Sequence, residues 1–323
     1  MYLIRGIVFD QTGDSLMPNP SFDPEYESAA RYLPRGIARS WNLPLLKMFG
    51  ALSSLGADPA DVSVEDSGAG PVRVHLPTGS GDEPRPAVLW LHGGGFLLGS
   101  PKQDDALCRQ IADELGAVVV APVYRLSPKH AFPAALDDAY AALTWLAKRD
   151  DVDANRIAVA GASAGGGLAA QIALHARDRG EIRLAAQTLV YPMLDDRTVR
   201  RTDLDESGFR LWDLRSNRVG WSAYLGHEAG ANEASSIAVP ARNENLAGLP
   251  PAWIGVGSLD LFCDEDMAYA ERLREAGIPC DSMIVDGVFH GFDGIVADSE
   301  ATKRFRESMF SSMRKALAET PSA

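Results

Sequence analysis

The sequence predicts an α/β fold: a mostly parallel sheet with helices on both faces. Three observations carry this. Short apolar runs recur at 86–91, 117–123, 157–160 and 185–191, with stretches of helical periodicity between them. A strand that is apolar throughout is buried on both faces, which a parallel sheet between two helix layers provides. The chain has 323 residues, 46 % of them hydrophobic, enough for one large domain and an attached subdomain.

The elements follow in order. Residues 2–9 are apolar enough for a short strand, and Pro18, Pro20 and Pro24 make the next piece turn-rich. Residues 25–55 are mainly helical and apolar, with Pro34 and Pro44 dividing them into short helices. Their aromatics, among them Tyr26, Tyr32 and Trp41, are expected to pack as ordinary core, in preference to lining a mobile lid. Residues 62–64 and 72–76 alternate with period two, as half-buried strands do, and Gly68 and Gly70 supply the turn between them. The continuous strand 86–91 precedes a helix over 102–115 with Leu107, Ile111 and Leu115 on one face. Strand 117–123, helix 133–149, strand 157–160 with its following helix, and strand 185–191 continue the alternation. It then stops. Residues 192–250 are too long for an ordinary connection, and they hold a helix near 214–225 with Trp212, Trp221 and Tyr224 close by. We read this insertion as a cap. Strand 253–257, helix 264–276 closed by Gly277, strand 280–285 and helix 299–318 complete the core. The expected domains are an N-terminal cap segment 1–57, core 58–191, inserted cap 192–245 and core 246–323.

Charge excludes several functions. Lys+Arg 31 against Asp+Glu 44 gives a net charge of −13. Such a chain is repelled by nucleic acid and anionic membranes, and no basic cluster compensates. Cys108, Cys263 and Cys280 are odd in number and widely spaced, which argues against a disulfide framework or a zinc site. The N-terminus lacks a hydrophobic signal core, and no apolar run is long enough to span a bilayer. A soluble, cytoplasmic protein is expected, with neither nucleic acid nor membrane as partner.

The chemistry centres on Gly161-Ala162-Ser163-Ala164-Gly165. An apolar run precedes it and an Ala-rich helical pattern follows. In that setting Gly-x-Ser-x-Gly makes a sharp elbow that presents the serine at the sheet edge. The pentapeptide arises by chance in about one chain of this length in ten, so the partners must decide. A serine hydroxyl needs a base, and the base needs an orienting acid. In strand–elbow–helix enzymes the chain order is Ser, acid, His. Of the later histidines, His175 lies along the helix and His227 in the presumed cap, whereas His290 follows a strand at the serine's sheet edge. Asp260 directly follows strand 253–257 and is the favoured acid. Asp264 is the next choice, and Asp264, Glu265 and Asp266 read as acidic residues in a helix first turn. The developing oxyanion needs preformed N–H donors. His92-Gly93-Gly94-Gly95-Phe96 follows strand 86–91, and its glycines leave the backbone bare. Ala164 supplies a further N–H. A phosphate loop is discounted, because no Lys-Ser/Thr follows and no acidic residue stands at dinucleotide spacing.

With these motifs the chain resembles the hormone-sensitive-lipase-like (bacterial family IV) carboxylesterases of the α/β-hydrolase superfamily. The resemblance rests on residues 92–96, 124–135, 155–157, 161–166, Tyr191-Pro192, Asp260 and His290-Gly291-Phe292. It implies an eight-stranded α/β-hydrolase sheet with a helical cap. It also implies Ser163 as nucleophile, His290 as base, Asp260 as acid, and Gly93, Gly94 and Ala164 as oxyanion donors. His92, Phe96 and Trp212 are expected at the substrate. Family members cleave esters of short to medium acyl chains, use no cofactor or metal and are often homodimers. Two departures stand out: Ala162 replaces the usual Asp or Thr, and Asp260-Leu261-Phe262-Cys263-Asp264-Glu265 replaces Asp-Pro-Leu-x-Asp-Glu. A lactonase or amidase with the same machinery is the alternative. A non-catalytic ligand-binding protein, like the plant gibberellin receptors that share this fold, would lack the base histidine that this chain keeps.

Overall fold

A computed structural model describes residues 21–318 apart from 47, 49–57, 80–82 and 233. The strand expected at 2–9 lies outside the described residues. The strands are β1 (Val62–Asp66), β2 (Pro71–His75), β3 (Arg85–Leu91), β4 (Val118–Pro122), β5 (Val152–Ala162), β6 (Ala186–Val190), β7 (Ala252–Gly257) and β8 (Cys280–Val285). They form one 8-stranded sheet in the order β1-β2-β4-β3-β5-β6-β7-β8. β2 runs antiparallel to β1 and β4; every other pairing is parallel.

The helices are α1 (Glu27–Tyr32), α2 (Asp105–Leu115), α3 (Ala134–Leu146), α4 (Ala164–Arg179), α5 (Leu214–Leu225), α6 (Cys263–Glu275), α7 (Phe292–Ile295) and α8 (Glu300–Ala318). The apolar strands divide their side chains between two cores, as a sheet covered on both faces requires. Leu89, Leu91, Val118 and Val120 face α3, α4 and α6. Val88, Trp90, Val119 and Ala121 face α2 and α8, where Phe305, Met309 and Met313 form the stripe read from the sequence. α6 ends as expected: Gly277 adopts φ +78, Gly277 N–H bonds to Arg274 C=O, and Ile278 N–H bonds to Leu273 C=O.

The period-two reading of the antiparallel edge fails. Val64 of β1 is exposed, and β2 buries Arg73 and His75 beside its valines. The reason lies opposite β2. Asp105 at the start of α2 receives Arg73 Nε at 2.6 Å, and Asp58 receives Arg73 Nη1 at 2.7 Å. His75 Nε2 stands 3.5 Å from Asp105, and burial pushes its pKa down to about 4, so it packs as a neutral ring.

The N-terminal segment also differs from expectation. Of the aromatics Tyr26, Tyr32 and Trp41, Tyr26 alone joins the core, with Ala30 and Ala38 beside it in the chain; Tyr32 and Trp41 are 82 % and 80 % exposed. The segment binds to the insertion between β6 and β7. Ile37 N–H bonds to Leu211 C=O at 3.1 Å, Leu211 N–H bonds to Pro34 C=O at 2.8 Å, and Arg39 pairs with Asp213 at 2.6 Å. Within the insertion, α5 occupies the range predicted for it. Its Tyr224 stacks on Phe96 with ring centres 3.8 Å apart, which fixes the insertion over the loop after β3.

Candidate active site

The site is built where β5 turns into α4. Ser163 sits at the turn with φ 57 and ψ −122, a conformation that costs a non-glycine residue about 1–3 kcal/mol. Its surroundings hold it there. Ser163 N–H bonds to Val190 C=O at 2.9 Å, and Ser163 C=O accepts from Gly167 N–H at 2.9 Å and Met193 N–H at 3.0 Å. The flanking glycines are required by contact. A β-carbon on Gly161 would fall 2.4 Å from Gly165 O, and one on Gly165 would fall 2.0 Å from Leu91 O.

Asp260 and His290 arrive on neighbouring loops from the C-terminal ends of β7 and β8. Leu259 N–H bonds to Val288 C=O at 3.0 Å and ties the two loops together. His290 Nε2 stands 2.9 Å from Ser163 Oγ, and His290 Nδ1 stands 2.7 Å from Asp260 Oδ2. The second oxygen of Asp260 accepts from Phe262 N–H at 3.0 Å. All three side chains are buried, with Ser163 6 % and His290 8 % exposed. Asp264, the other candidate acid, is exposed and paired with Arg201 at 2.6 Å.

Glu265 and Asp266 do lie in the first turn of α6, but both are buried. Glu265 accepts from Leu194 N–H at 2.8 Å and Asp195 N–H at 3.0 Å and bonds the Thr198 hydroxyl, so it anchors the start of the insertion to the acid loop. Burial pushes its carboxyl up to about 8. The carboxylate of Asp266 has no hydrogen-bond partner among the described residues, and burial, Glu265 and Asp260 raise its pKa well above the ordinary range.

The loop after β3 passes beside the serine. A β-carbon on Gly93 would touch Ser163 Cβ at 3.4 Å, and one on Gly94, at φ +128, would overlap Leu98 O at 2.1 Å. Among the described residues, the N–H groups of Gly93, Gly94 and Ala164 donate to no protein acceptor. His92 and Phe96, expected at the substrate, are both buried. His92 stacks on Tyr124 at 4.2 Å and bonds Gly93 C=O at 2.8 Å through Nδ1, and burial pushes its pKa down to about 4. Phe96 is enclosed beneath Tyr224 and Trp221. The Tyr124 ring covers His92, and the insertion covers Phe96 through Trp221 and Tyr224. Trp212 does reach the site, its ring 6.5 Å from His290.

Two aromatics around His290 were not picked out from the sequence. Tyr191, at φ 35, and Phe262 pack on the His290 ring at 4.8 Å and 5.2 Å between centres. Both lay inside recognised motifs, but nothing local shows that they meet the histidine. Among the described residues, no group of three or more His, Cys, Asp or Glu side chains is placed to hold a metal ion. Nor is any described helix long and apolar enough to cross a membrane.

Comparison with known proteins identifies the family. The family described as alpha/beta hydrolase fold matches residues 88–294. This chain belongs to the hormone-sensitive-lipase-like carboxylesterases of the α/β-hydrolase superfamily. The esterase is 38 % identical over 250 residues to esterase LipI of Mycobacterium tuberculosis, covering 74 % of this chain and 78 % of that one. It is 35 % identical over 244 residues to carboxylesterase NlhH of the same species, covering 72 % and 76 %. Among solved structures it is similar to one described as a bacterial heroin esterase, with TM-score 0.83 and 33 % identity over 93 % of this chain and 99 % of that one. The esterase thus hydrolyses carboxylic esters.

Proposed function

We propose that the esterase cleaves esters of short to medium acyl chains through an acyl-enzyme on Ser163. The observation that carries this reading is the continuous hydrogen-bond path from Asp260 through His290 to Ser163, at 2.7 and 2.9 Å. Ser163 Oγ attacks the ester carbonyl while His290 Nε2 takes its proton. Asp260 holds the Nδ1–H tautomer and stabilises the imidazolium. Negative charge on the carbonyl oxygen is met by the N–H groups of Gly93, Gly94 and Ala164; one such donor is worth about 10²–10³ in rate. His290 then gives its proton to the departing alkoxide. A water activated by the same histidine releases the acid and regenerates Ser163.

The test is hydrolysis of p-nitrophenyl esters of increasing acyl length, with mass spectrometry of the quenched enzyme. The wild type should peak at short or medium chains and gain one acyl mass on the peptide containing Ser163. Ser163→Ala should lose about 10⁶ in kcat and take up no acyl group. A Ser163→Ala enzyme that still turns over, or an acyl mass on another peptide, would discard the assignment. Parallel amide and lactone substrates separate this reading from an amidase or lactonase.

A further inference from the structure

Trp212 stands in a place that the proposed reaction does not use. Its side chain is nearly enclosed, 4 % exposed, and its indole lies across the third glycine of the loop after β3. A β-carbon on Gly95 would fall 2.1 Å from Trp212 Cη2. On the far side, a β-carbon on Gly220 of α5 would meet Trp212 Cζ2 at 3.2 Å. The indole therefore fills a slot between two glycines, with its ring 6.5 Å from that of His290.

The ring is also held from behind. Nε1 donates to Asn217 Oδ1 at 3.3 Å. The next residue, Asp213, caps α5 by accepting from Ser216 N–H at 2.8 Å, and Arg39 grips both its oxygens at 3.0 and 2.6 Å. The backbone beside Trp212 is thus fixed by a helix cap and an ion pair, and the indole itself by its bond to Asn217 and its seat between the two glycines. Trp212 thus stands between the loop that carries Gly93 and Gly94 and the His290 ring.

We propose that Trp212 sets the upper size of the ester this enzyme accepts. The inference rests on the reading of Ser163 as nucleophile. Each methylene seated in an apolar pocket favours a substrate by about fourfold, so a space freed by shortening the indole shifts preference steeply towards longer esters. Two substrate series locate the arm concerned: p-nitrophenyl esters from acetate to decanoate, and acetate esters from methyl to octyl.

The experiment compares kcat/KM across both series for the wild type, Trp212→Leu, Trp212→Ala and Arg39→Ala, with each fold checked by circular dichroism. In one series the long-to-short ratio should rise about tenfold or more in Trp212→Ala, with Trp212→Leu in between. Trp212→Leu keeps apolar bulk over Gly95 and serves if the alanine variant does not fold. Folded variants with both ratios within twofold of wild type would overturn the proposal. So would an Arg39→Ala shift as large as that of Trp212→Ala, since the limit would then belong to cap closure and not to the indole. A wild type that hydrolyses no ester in either series would instead remove the nucleophile reading, and the inference with it.

Discussion

Phe262 donates its backbone N–H to Asp260 Oδ1 at 3.0 Å, which leaves Oδ2 to face His290. The acid is thus fixed by the residue two positions after it. Leu261 in place of the usual proline does not displace it. Asp260→Asn should lower kcat by about 10⁴, because an amide in that position no longer selects the Nδ1–H tautomer. Asp264→Asn should stay within about threefold of wild type, since Asp264 is exposed and paired with Arg201. Steady-state kinetics on an activated ester check both. The reverse pattern would reassign the acid.

Gly161→Ala and Gly165→Ala should each destabilise the fold by about 3 kcal/mol or more. The added methyl meets backbone atoms, Gly165 O at 2.4 Å in one case and Leu91 O at 2.0 Å in the other. Backbone packed in a strand or a helix cannot swing aside as a side chain does. Urea unfolding measures the loss. Midpoints equal to wild type would mean that the elbow is looser than described.

Arg39→Ala should lower stability by about 1–2 kcal/mol, because the pair is partly exposed and Asp213 keeps its bond from Ser216 N–H. A fall of about 4 °C in Tm is expected at low salt. The difference from wild type should shrink at high salt, as screening weakens the ion pair. A salt-independent difference would point to lost packing of the arginine stem instead.

Asp266 supplies a pH signature. An unfolded aspartate titrates near about 3.9. In the fold, burial with Glu265 and Asp260 nearby raises the value well above that. Between the two values the folded state holds one proton more than the unfolded state, so stability falls as pH rises. Asp266→Asn should make the slope of unfolding free energy against pH less negative by about 1.4 kcal/mol per pH unit within that window. Urea titrations at pH 5, 6 and 7 test it; parallel slopes for wild type and variant would refute it.

Legibility followed the range over which each feature is encoded. The elbow, the glycine loop and the chain order of Ser163, Asp260 and His290 were readable, because each depends on a few adjacent residues and on the strand ends that carry them. The parallel sheet was readable for the same reason. A strand buried on both faces must be apolar throughout, as 118–122 is, and that pattern is local. Helix α5 was legible from its own periodicity, although nothing in the sequence said that it would cover Phe96.

What the tertiary structure alone decided concerns pairs far apart in the chain. Arg39 and Asp213 are 174 positions apart in the chain, and neither has a local pattern that announces the other. The burial of Glu265 depends on the Leu194 and Asp195 amides brought to it from another loop, and the burial of Arg73 on Asp105 and Asp58. Exposure of Trp41 and enclosure of Trp212 could not be separated by residue type, since both are large apolar rings in segments flanking the core. Local sequence specifies backbone shape and chemistry. Which charge is neutralised, and which aromatic is enclosed, is set by the surfaces that folding brings opposite them.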